Sequence, residues 1–231
     1  MKRFWKDAKV ARREGGWAVE LDSRRLLTST KSVLAVPTAA LAEAIANEWA
    51  DVGETVDPRA MPLTGLANAA IDVVAADPEA FAGGLARYGE SDLLCYRAEA
   101  PAVLAERKAA AWEPLLSWAR RRFDVDFRVT AGVTHVPQPE ATVTRLAHAV
   151  AALDPFRLAA LSPLVTVGGS LVAALAVAEG AVTADQAWQA VTVDERWQAE
   201  QWGADADAQA AMESRRRDFM AAASFLKLLD L

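Results

Sequence analysis

The stretch around which this chain is organised spans residues 188–207 and reads WQAVTVDERWQAEQWGADAD. If this stretch is a helix, residues spaced alternately by three and four positions lie on one stripe of its surface. They are Trp188, Val191, Glu195, Gln198 and Trp202. A carboxylate and an amide therefore lie between two tryptophans on what is otherwise a packing face. A buried carboxylate is costly unless it is paired or hydrogen-bonded. Glu195 therefore needs a partner, either inside the fold or in another molecule.

The residues near Glu195 leave its role open. A salt bridge to Arg196, Arg215 or another arginine would make Glu195 a structural residue. Its neighbour Asp194 points about 100° away on a helix. The two carboxylates therefore cannot serve one narrow site, which argues against acid–base catalysis by this pair.

The chain has eight tryptophans, and three of them lie in this stretch. Large aromatic side chains are usually core residues, but tryptophan is also enriched as an anchor of interaction surfaces. Helical spacing favours the core for Trp49 and Trp112. It does not decide the role of Trp197, which points away from the Glu195 stripe.

Composition narrows the class of protein. The 231 residues are 53% hydrophobic and 24% charged, which is typical of one or two globular domains. Lys and Arg number 25 against 31 Asp and Glu, a net charge of −6. Binding to nucleic acid needs a basic surface, so we do not expect a nucleic-acid partner.

Motifs for chemistry are missing from the sequence. The single cysteine, Cys95, excludes an internal disulfide and fits a reducing compartment. His135 and His148 have no partner at metal-ligand spacing. There is no phosphate-binding glycine loop and no Gly-x-Ser-x-Gly elbow. We therefore expect no catalytic residues, no cofactor and no metal.

Two segments bear on membranes and secretion. The first residues are charged and no apolar run follows them, so no secretory signal is expected. Residues 163–178 are the most apolar segment, but they are fewer than the roughly 20 that a spanning helix needs. Pro163, Gly168 and Gly169 also interrupt this segment. We predict a buried central helix over residues 163–179 and no membrane insertion.

The order of patterns predicts an α+β fold. Alternation at Trp17, Val19 and Leu21 predicts a strand of an antiparallel sheet, and helical periods follow from residue 37. We predict a small N-terminal domain of antiparallel sheet and helices over residues 1–90. An all-α helical-bundle domain then covers residues 91–231, with a short strand near 125–136 and one continuous helix over 183–202. Thr183 and Gln186 have the spacing of a capping box at the start of that helix.

Five groups of residues follow one another in an order that resembles a known family. They are Glu48-Trp49, Met61-Pro62-Leu63-Thr64 with Leu66-Ala67-Asn68, Ser91-Asp92-Leu93-Leu94-Cys95-Tyr96-Arg97-Ala98-Glu99, Trp112-Glu113-Pro114-Leu115, and Asp194-Glu195 with Gln198, Trp202 and Gly203. The chain resembles the assembly chaperones that escort the α subunit into the soluble catalytic sector of F-type ATP synthase. The resemblance extends over residues 4–226. Gly65 and Asp207 depart from it, since arginine and glutamate are expected there.

The resemblance implies a chaperone rather than an enzyme. Such a protein binds the unassembled α subunit, covers the apolar surface later given to a β subunit, and releases it without hydrolysing ATP. A glutamate important in the family corresponds to Glu195, with Asp194 beside it. The candidate partner-binding residues are therefore Glu195, Asp194, Gln198, Trp202 and Trp197.

The resemblance also bears on location. Mitochondrial members carry a targeting extension that this sequence lacks, so a bacterial cytoplasmic protein is expected, monomeric when free.

Two other functions stay open at this point. A small-molecule enzyme would use Glu195 or Asp194 as a base, and a closed, deep interdomain pocket would favour it. A generic protein-interaction adaptor held by its last helix would lose its partners when residues 205–231 are deleted.

Overall fold

The computed structural model describes residues 1–203 and 205–231. Contacts between Cα atoms divide them into two compact units. The first unit comprises Met1–Pro78, Asp154–Ala160 and Ser224–Leu231, and the second comprises Glu79–Leu153 and Leu161–Ala223. A division of the chain at residue 90 into two independent domains stays a prediction.

The sheet of the first unit has four strands, namely β1 (Ala8–Arg13), β2 (Gly16–Leu21), β3 (Arg24–Arg25) and β4 (Ala35–Val36). Strand β2 is central and pairs in antiparallel fashion with the other three. The predicted strand at Trp17–Leu21 is therefore confirmed. Gly16 is required here, because a Cβ at this position would lie 2.4 Å from the carbonyl oxygen of Val36.

Helices α1 (Ala39–Ala50) and α2 (Pro62–Asp72) follow the sheet, and a 3-10 helix lies before α2 (Pro58–Ala60) and another after it (Val74–Ala76). Helix α1 packs on β1 and β2. Its Glu48 carboxylate accepts hydrogen bonds from the backbone N–H groups of Leu63 and Thr64, both at 2.8 Å, and from the Thr64 hydroxyl at 2.7 Å. These N–H groups lack partners inside α2, so Glu48 stabilises the start of that helix.

The remaining elements are mostly helices. They are α3 (Pro78–Ala86), the 3-10 helices Arg87–Glu90 and Leu93–Cys95, β5 (Tyr96–Arg97), α4 (Ala102–Phe123), β6 (Thr130–Ala131), α5 (Glu140–Ala151), α6 (Pro155–Gly168), α7 (Leu171–Ala178), α8 (Ala184–Val191), α9 (Val193–Trp202) and α10 (Ala206–Leu229). The predicted α+β class, an N-terminal antiparallel sheet followed by a helical region, is confirmed.

The apolar segment 163–179 is two helices rather than one. Helix α6 ends at Gly168, Gly169 has φ of 68°, and Ser170 caps the start of α7 through its hydroxyl. The first six residues of α7 are buried, so the expected central helix exists in shortened form. A left-handed residue stops the helix, which periodicity alone does not reveal. Within the described residues, no helix is both long and apolar enough to cross a membrane.

The short strand expected near residues 125–136 is limited to two residues. Only Thr130–Ala131 is a strand, and it pairs in parallel with Tyr96–Arg97. The side-chain amide of Gln138 accepts from the N–H of Arg128 and donates to its carbonyl, both at 2.9 Å. A side chain thus satisfies backbone groups that a neighbouring strand would otherwise bond.

Candidate functional site

The stretch predicted as one helix over 183–202 is interrupted at Thr192. Its hydroxyl donates to the carbonyl of Trp188 at 2.7 Å, and its ψ of 21° leaves the helical range. The indole Nε1 of Trp112 donates to the carbonyl of Ala190, also at 2.7 Å. The last carbonyls of α8 therefore have side-chain partners, which allows the helix to end there. The capping box predicted at the start of α8 is confirmed.

The side chains of the predicted stripe are buried before this break and largely exposed after it. Trp188 and Val191 on α8 are buried. On α9, only Val193 is buried among the ten residues. Trp202, at the end of α9, is 78% exposed. The packing face expected along the whole stretch is therefore confined to α8, and α9 carries its side chains largely at the surface.

Three of the five predicted site residues line one groove. Glu195, Gln198 and Trp202 follow each other at helical spacing on α9 and face α10. The groove between these two helices has a volume of about 670 Å³. It lies entirely within the second unit.

Glu195 has a partner inside the fold. Its Oε1 lies 3.3 Å from Nη1 and 3.4 Å from Nη2 of Arg215, and Nη2 also donates to the carbonyl of Val167 at 3.2 Å. Of the pairings left open by the sequence, the one with Arg215 is therefore present. The Glu195 side chain is still 37% exposed, and within residues 1–203 and 205–231 its Oε2 has no hydrogen-bond partner. An exposed pair of this kind contributes less than about 1 kcal/mol.

Asp194 and Trp197 lie on the opposite side of α9, against α4. Lys108 Nζ lies 2.7 Å from Asp194 Oδ2. The Arg107 guanidinium lies 4.8 Å from the centroid of the Trp197 ring, and its Nη1 lies 2.5 Å from Glu200 Oε2. These contacts hold α9 on α4. The structure therefore does not bring all five predicted residues together.

Lys108 is the residue that sequence reasoning missed. Its side chain is only 10% exposed while that of Asp194 is 33% exposed, so the pair is largely shielded from water. A lysine one turn before Trp112 on a helix carries no signal by itself, because its partner is distant in the sequence. Its ammonium also lies 4.8 Å from the centroid of the Trp112 ring.

Substitution of Lys108 by methionine is expected to lower the free energy of unfolding by about 2 kcal/mol. Removing one partner of a buried pair costs about 3–5 kcal/mol, and partial exposure of Asp194 reduces this value. Arg107→Met is the matched control. Like Lys108, Arg107 contacts an acid of α9 and a tryptophan ring, but its ion pair with Glu200 is exposed, so a loss of about 1 kcal/mol or less is expected. Urea unfolding measures the free energy of unfolding of both variants. Equal losses would contradict the distinction between a shielded pair at Lys108 and an exposed pair at Arg107.

Burial keeps Cys95 unreactive. It raises the pKa of the thiol to about 12, and the charge of Asp92 acts in the same direction. A thiol in this state stays protonated at neutral pH and is a poor nucleophile. Among the described residues, no group of His, Cys, Asp and Glu side chains is arranged to hold a metal ion.

Comparison with known proteins places the chain in a family. The model of the ATP12 chaperone protein matches residues 2–120, more than half of the 231 residues. The chain belongs to the ATP12 chaperone family. Proteins of the ATP12 family are chaperones of ATP synthase assembly, and the resemblance seen in the ordered motifs is confirmed. The residues matched include Glu48, Asp92 and Trp112 but stop before α9.

Similar proteins cover almost the whole chain. The crystal structure of Atp12 from Paracoccus denitrificans is 46% identical, with a TM-score of 0.94 over 99% of this chain and 98% of that one. A protein of Agrobacterium tumefaciens is 39% identical, with the same TM-score of 0.94, over 99% of this chain and 86% of that one. The mitochondrial protein atp12 of Schizosaccharomyces pombe is 25% identical over 219 residues, 90% of this chain and 75% of its own length.

Proposed function

We propose that this ATP12 chaperone binds the unassembled α subunit of ATP synthase, covers its β-facing surface and releases it on assembly, without catalysing a reaction. The observation that carries this proposal is the groove between α9 and α10, where Trp202 is 78% exposed next to Glu195. A large exposed aromatic residue with polar neighbours is typical of protein interaction sites.

The arrangement of Glu195 suits a partner contact. The Arg215 guanidinium holds its Oε1, so the carboxylate loses little conformational freedom when a partner binds. Its second oxygen, which has no hydrogen-bond partner among the described residues, could accept one from the partner. Charged groups at an interface contribute more to specificity and association rate than to affinity, which fits a chaperone that must later leave.

The five candidate residues divide between two roles. Glu195, Gln198 and Trp202 would contact the α subunit directly. Asp194 and Trp197 would act through the position of α9, since they meet Lys108 and Arg107 of α4.

An enzyme is the less favoured alternative. The groove is formed by two helices of one unit, and an exposed tryptophan lies at its end. Small-molecule sites instead bury most of the ligand surface in a concave pocket.

The compartment and the free state are part of the same proposal. We place the protein in the bacterial cytoplasm, because it is 46% identical to the Paracoccus denitrificans protein and 25% identical to the Schizosaccharomyces pombe protein. We expect a monomer when free, because a second copy seated in the groove would compete with the partner.

Replacement of Glu195 by lysine is expected to abolish capture of the α subunit in a pull-down. Purified α and β subunits from the same source would be offered separately to the immobilised protein. The wild type should retain α but not β, and the variant should lose at least about tenfold in affinity for α. The added lysine would place a like charge beside Arg215 at the contact.

Asp185→Lys is the matched control for this experiment. Asp185 also pairs with an arginine of α10, Arg216, at 3.0 Å, but it does not line the groove. It should bind α as the wild type does. Failure of the wild type to capture α at several salt concentrations would overturn the proposal, and normal capture by Glu195→Lys would remove Glu195 from the contact.

A further inference from the structure

The groove has an apolar floor built from both helices. Ala199 and Trp202 of α9 line it on one side, and Ala208, Ala211 and Met212 of α10 line it on the other. Alanine side chains are small, so they leave the space between the helices open. Apolar groups of a partner could therefore be removed from water here.

The rim of the groove carries more acids than bases. Three carboxylates line it, those of Glu195, Asp205 and Glu213, against the guanidiniums of Arg196 and Arg215. In the described part of the chain, Glu213 has no ion-pair partner. This excess of negative charge complements a partner with cationic side chains.

Both guanidiniums of the rim already have acceptors inside the protein. Arg215 bonds Glu195 and the carbonyl of Val167. Arg196 donates to the carbonyl of Gln189 at 3.0 Å. Two of the carboxylates are engaged as well, since Glu195 pairs with Arg215 and Asp205 accepts from the N–H groups of Asp207 and Ala208. Glu213 is therefore the rim charge most available to a partner, and it favours a basic one.

The walls of the groove determine the backbone conformation that it can receive. Both walls are α-helices, whose interior N–H and C=O groups are bonded within the helix, so they offer no free strand edge to an extended peptide. A helix satisfies its own backbone hydrogen bonds and needs only side-chain contacts. The ten residues of α9 span about 15 Å, which is nearly three turns of a partner helix and leaves room for anchors at i, i+3 or i+4, and i+7.

We infer that the groove binds an amphipathic helix of the partner, with apolar side chains against Trp202 and Met212 and lysine or arginine against the acidic rim. This inference rests on the proposed function, because it assigns the binding mode of the α subunit. It predicts that the partner segment is a basic amphipathic helix exposed only before assembly.

The test uses matched substitutions on α10. Ala211 and Ala210 are adjacent exposed alanines, but only Ala211 lines the groove. Ala211→Glu should lower the affinity for the α subunit by at least about tenfold, and Ala210→Glu should leave it unchanged. Glu213→Lys should weaken binding while Asp218→Lys, an exposed acid outside the groove, should not.

A second arm tests the groove without the α subunit. Two labelled helical peptides of about 14 residues share one leucine stripe and differ in carrying lysine or glutamate elsewhere. Fluorescence anisotropy should show binding of the lysine peptide to the full chain, loss of that binding in Ala211→Glu, and no binding of the glutamate peptide.

The outcomes separate this inference from the proposed function. If the wild type binds α and the Ala211→Glu and Glu213→Lys variants bind it equally well, the groove inference is wrong while the function stands. If α does not bind but the lysine peptide does, the function is wrong and the groove takes another basic helix. If neither binds, both are wrong.

Discussion

Substitution of Trp112 by alanine is expected to lower the free energy of unfolding by about 3–5 kcal/mol, the largest loss that we predict for a single residue. Trp112 is fully buried in the second unit. Its indole donates to the carbonyl of Ala190. The centroid of its ring lies 5.3 Å from the guanidinium carbon of Arg97 and 4.8 Å from Nζ of Lys108. Alanine would leave a cavity, an unpaired carbonyl at the end of α8 and two cations without their aromatic partner.

Two further variants separate these contributions. Trp112→Phe retains much of the buried area but removes the donor to Ala190, which should cost about 1–3 kcal/mol. Trp118→Ala removes a half-buried tryptophan of the same helix and should cost less than Trp112→Ala. Urea unfolding provides all three values. A loss for Trp112→Ala no larger than that for Trp118→Ala would contradict the central role of Trp112.

Substitution of Asp92 by alanine is expected to lower the free energy of unfolding by about 2–5 kcal/mol, because it leaves two buried donors unpaired. The carboxylate is fully buried and accepts from the N–H of Leu94 at 3.0 Å and from that of Val172 at 2.9 Å. The second bond lies at the start of α7, so Asp92 secures the central helix. Thermal unfolding at neutral pH measures this loss.

The charge of Asp92 also predicts a pH dependence. Burial raises its pKa from 3.8 to about 6, and hydrogen bonds from Val172 and Leu94 oppose this shift. Between these two pH values the folded protein keeps a proton that the unfolded chain has lost, so this group's contribution to the free energy of unfolding falls as pH rises. The fall is about 1.4 kcal/mol per pKa unit, and it is complete above the folded pKa.

Asp92→Asn isolates this effect, because asparagine does not titrate. The difference in unfolding free energy between wild type and Asp92→Asn should decrease from pH 4 to pH 6 by about 2 kcal/mol, because the folded group is only half ionised at pH 6. Taking the difference between the two proteins cancels the pH dependence that comes from the other carboxyl groups. One of these is Glu113, whose pKa is lowered chiefly by its hydrogen bond with Arg120. A difference that rises with pH would show that hydrogen bonds to the ionised form outweigh burial.

The motifs that point to the family are mainly residues that build the fold. Glu48 caps α2, Asp92 secures the start of α7, and Trp112 closes the end of α8. Their side chains are engaged inside the protein, so they are recognisable in the sequence without being available to a partner. The candidate site lies instead on α9, which has little apolar core of its own.

Local patterns were enough to predict much of this protein. Alternation at Trp17–Leu21 predicted β2, and the spacing of Thr183 and Gln186 predicted the capping box of α8. Charge and spacing indicated that an arginine could pair with Glu195, and Arg215 was one of the candidates. The strand and the capping box depend on residues near in sequence, which is why the sequence alone sufficed for them. The choice of Arg215 among the arginines came from the structure.

The tertiary structure decided the break at Thr192 and the sorting of the site residues. The indole of Trp112 donates to the carbonyl of Ala190, which is 78 residues away in the sequence. The periodicity of a single helix gives no information about a donor from another helix. Lys108 and Arg107 draw Asp194 and Trp197 to α4, while Glu195, Gln198 and Trp202 face α10. Helical spacing identifies which residues share a face, but only packing against other helices decides whether that face is buried or open to a partner.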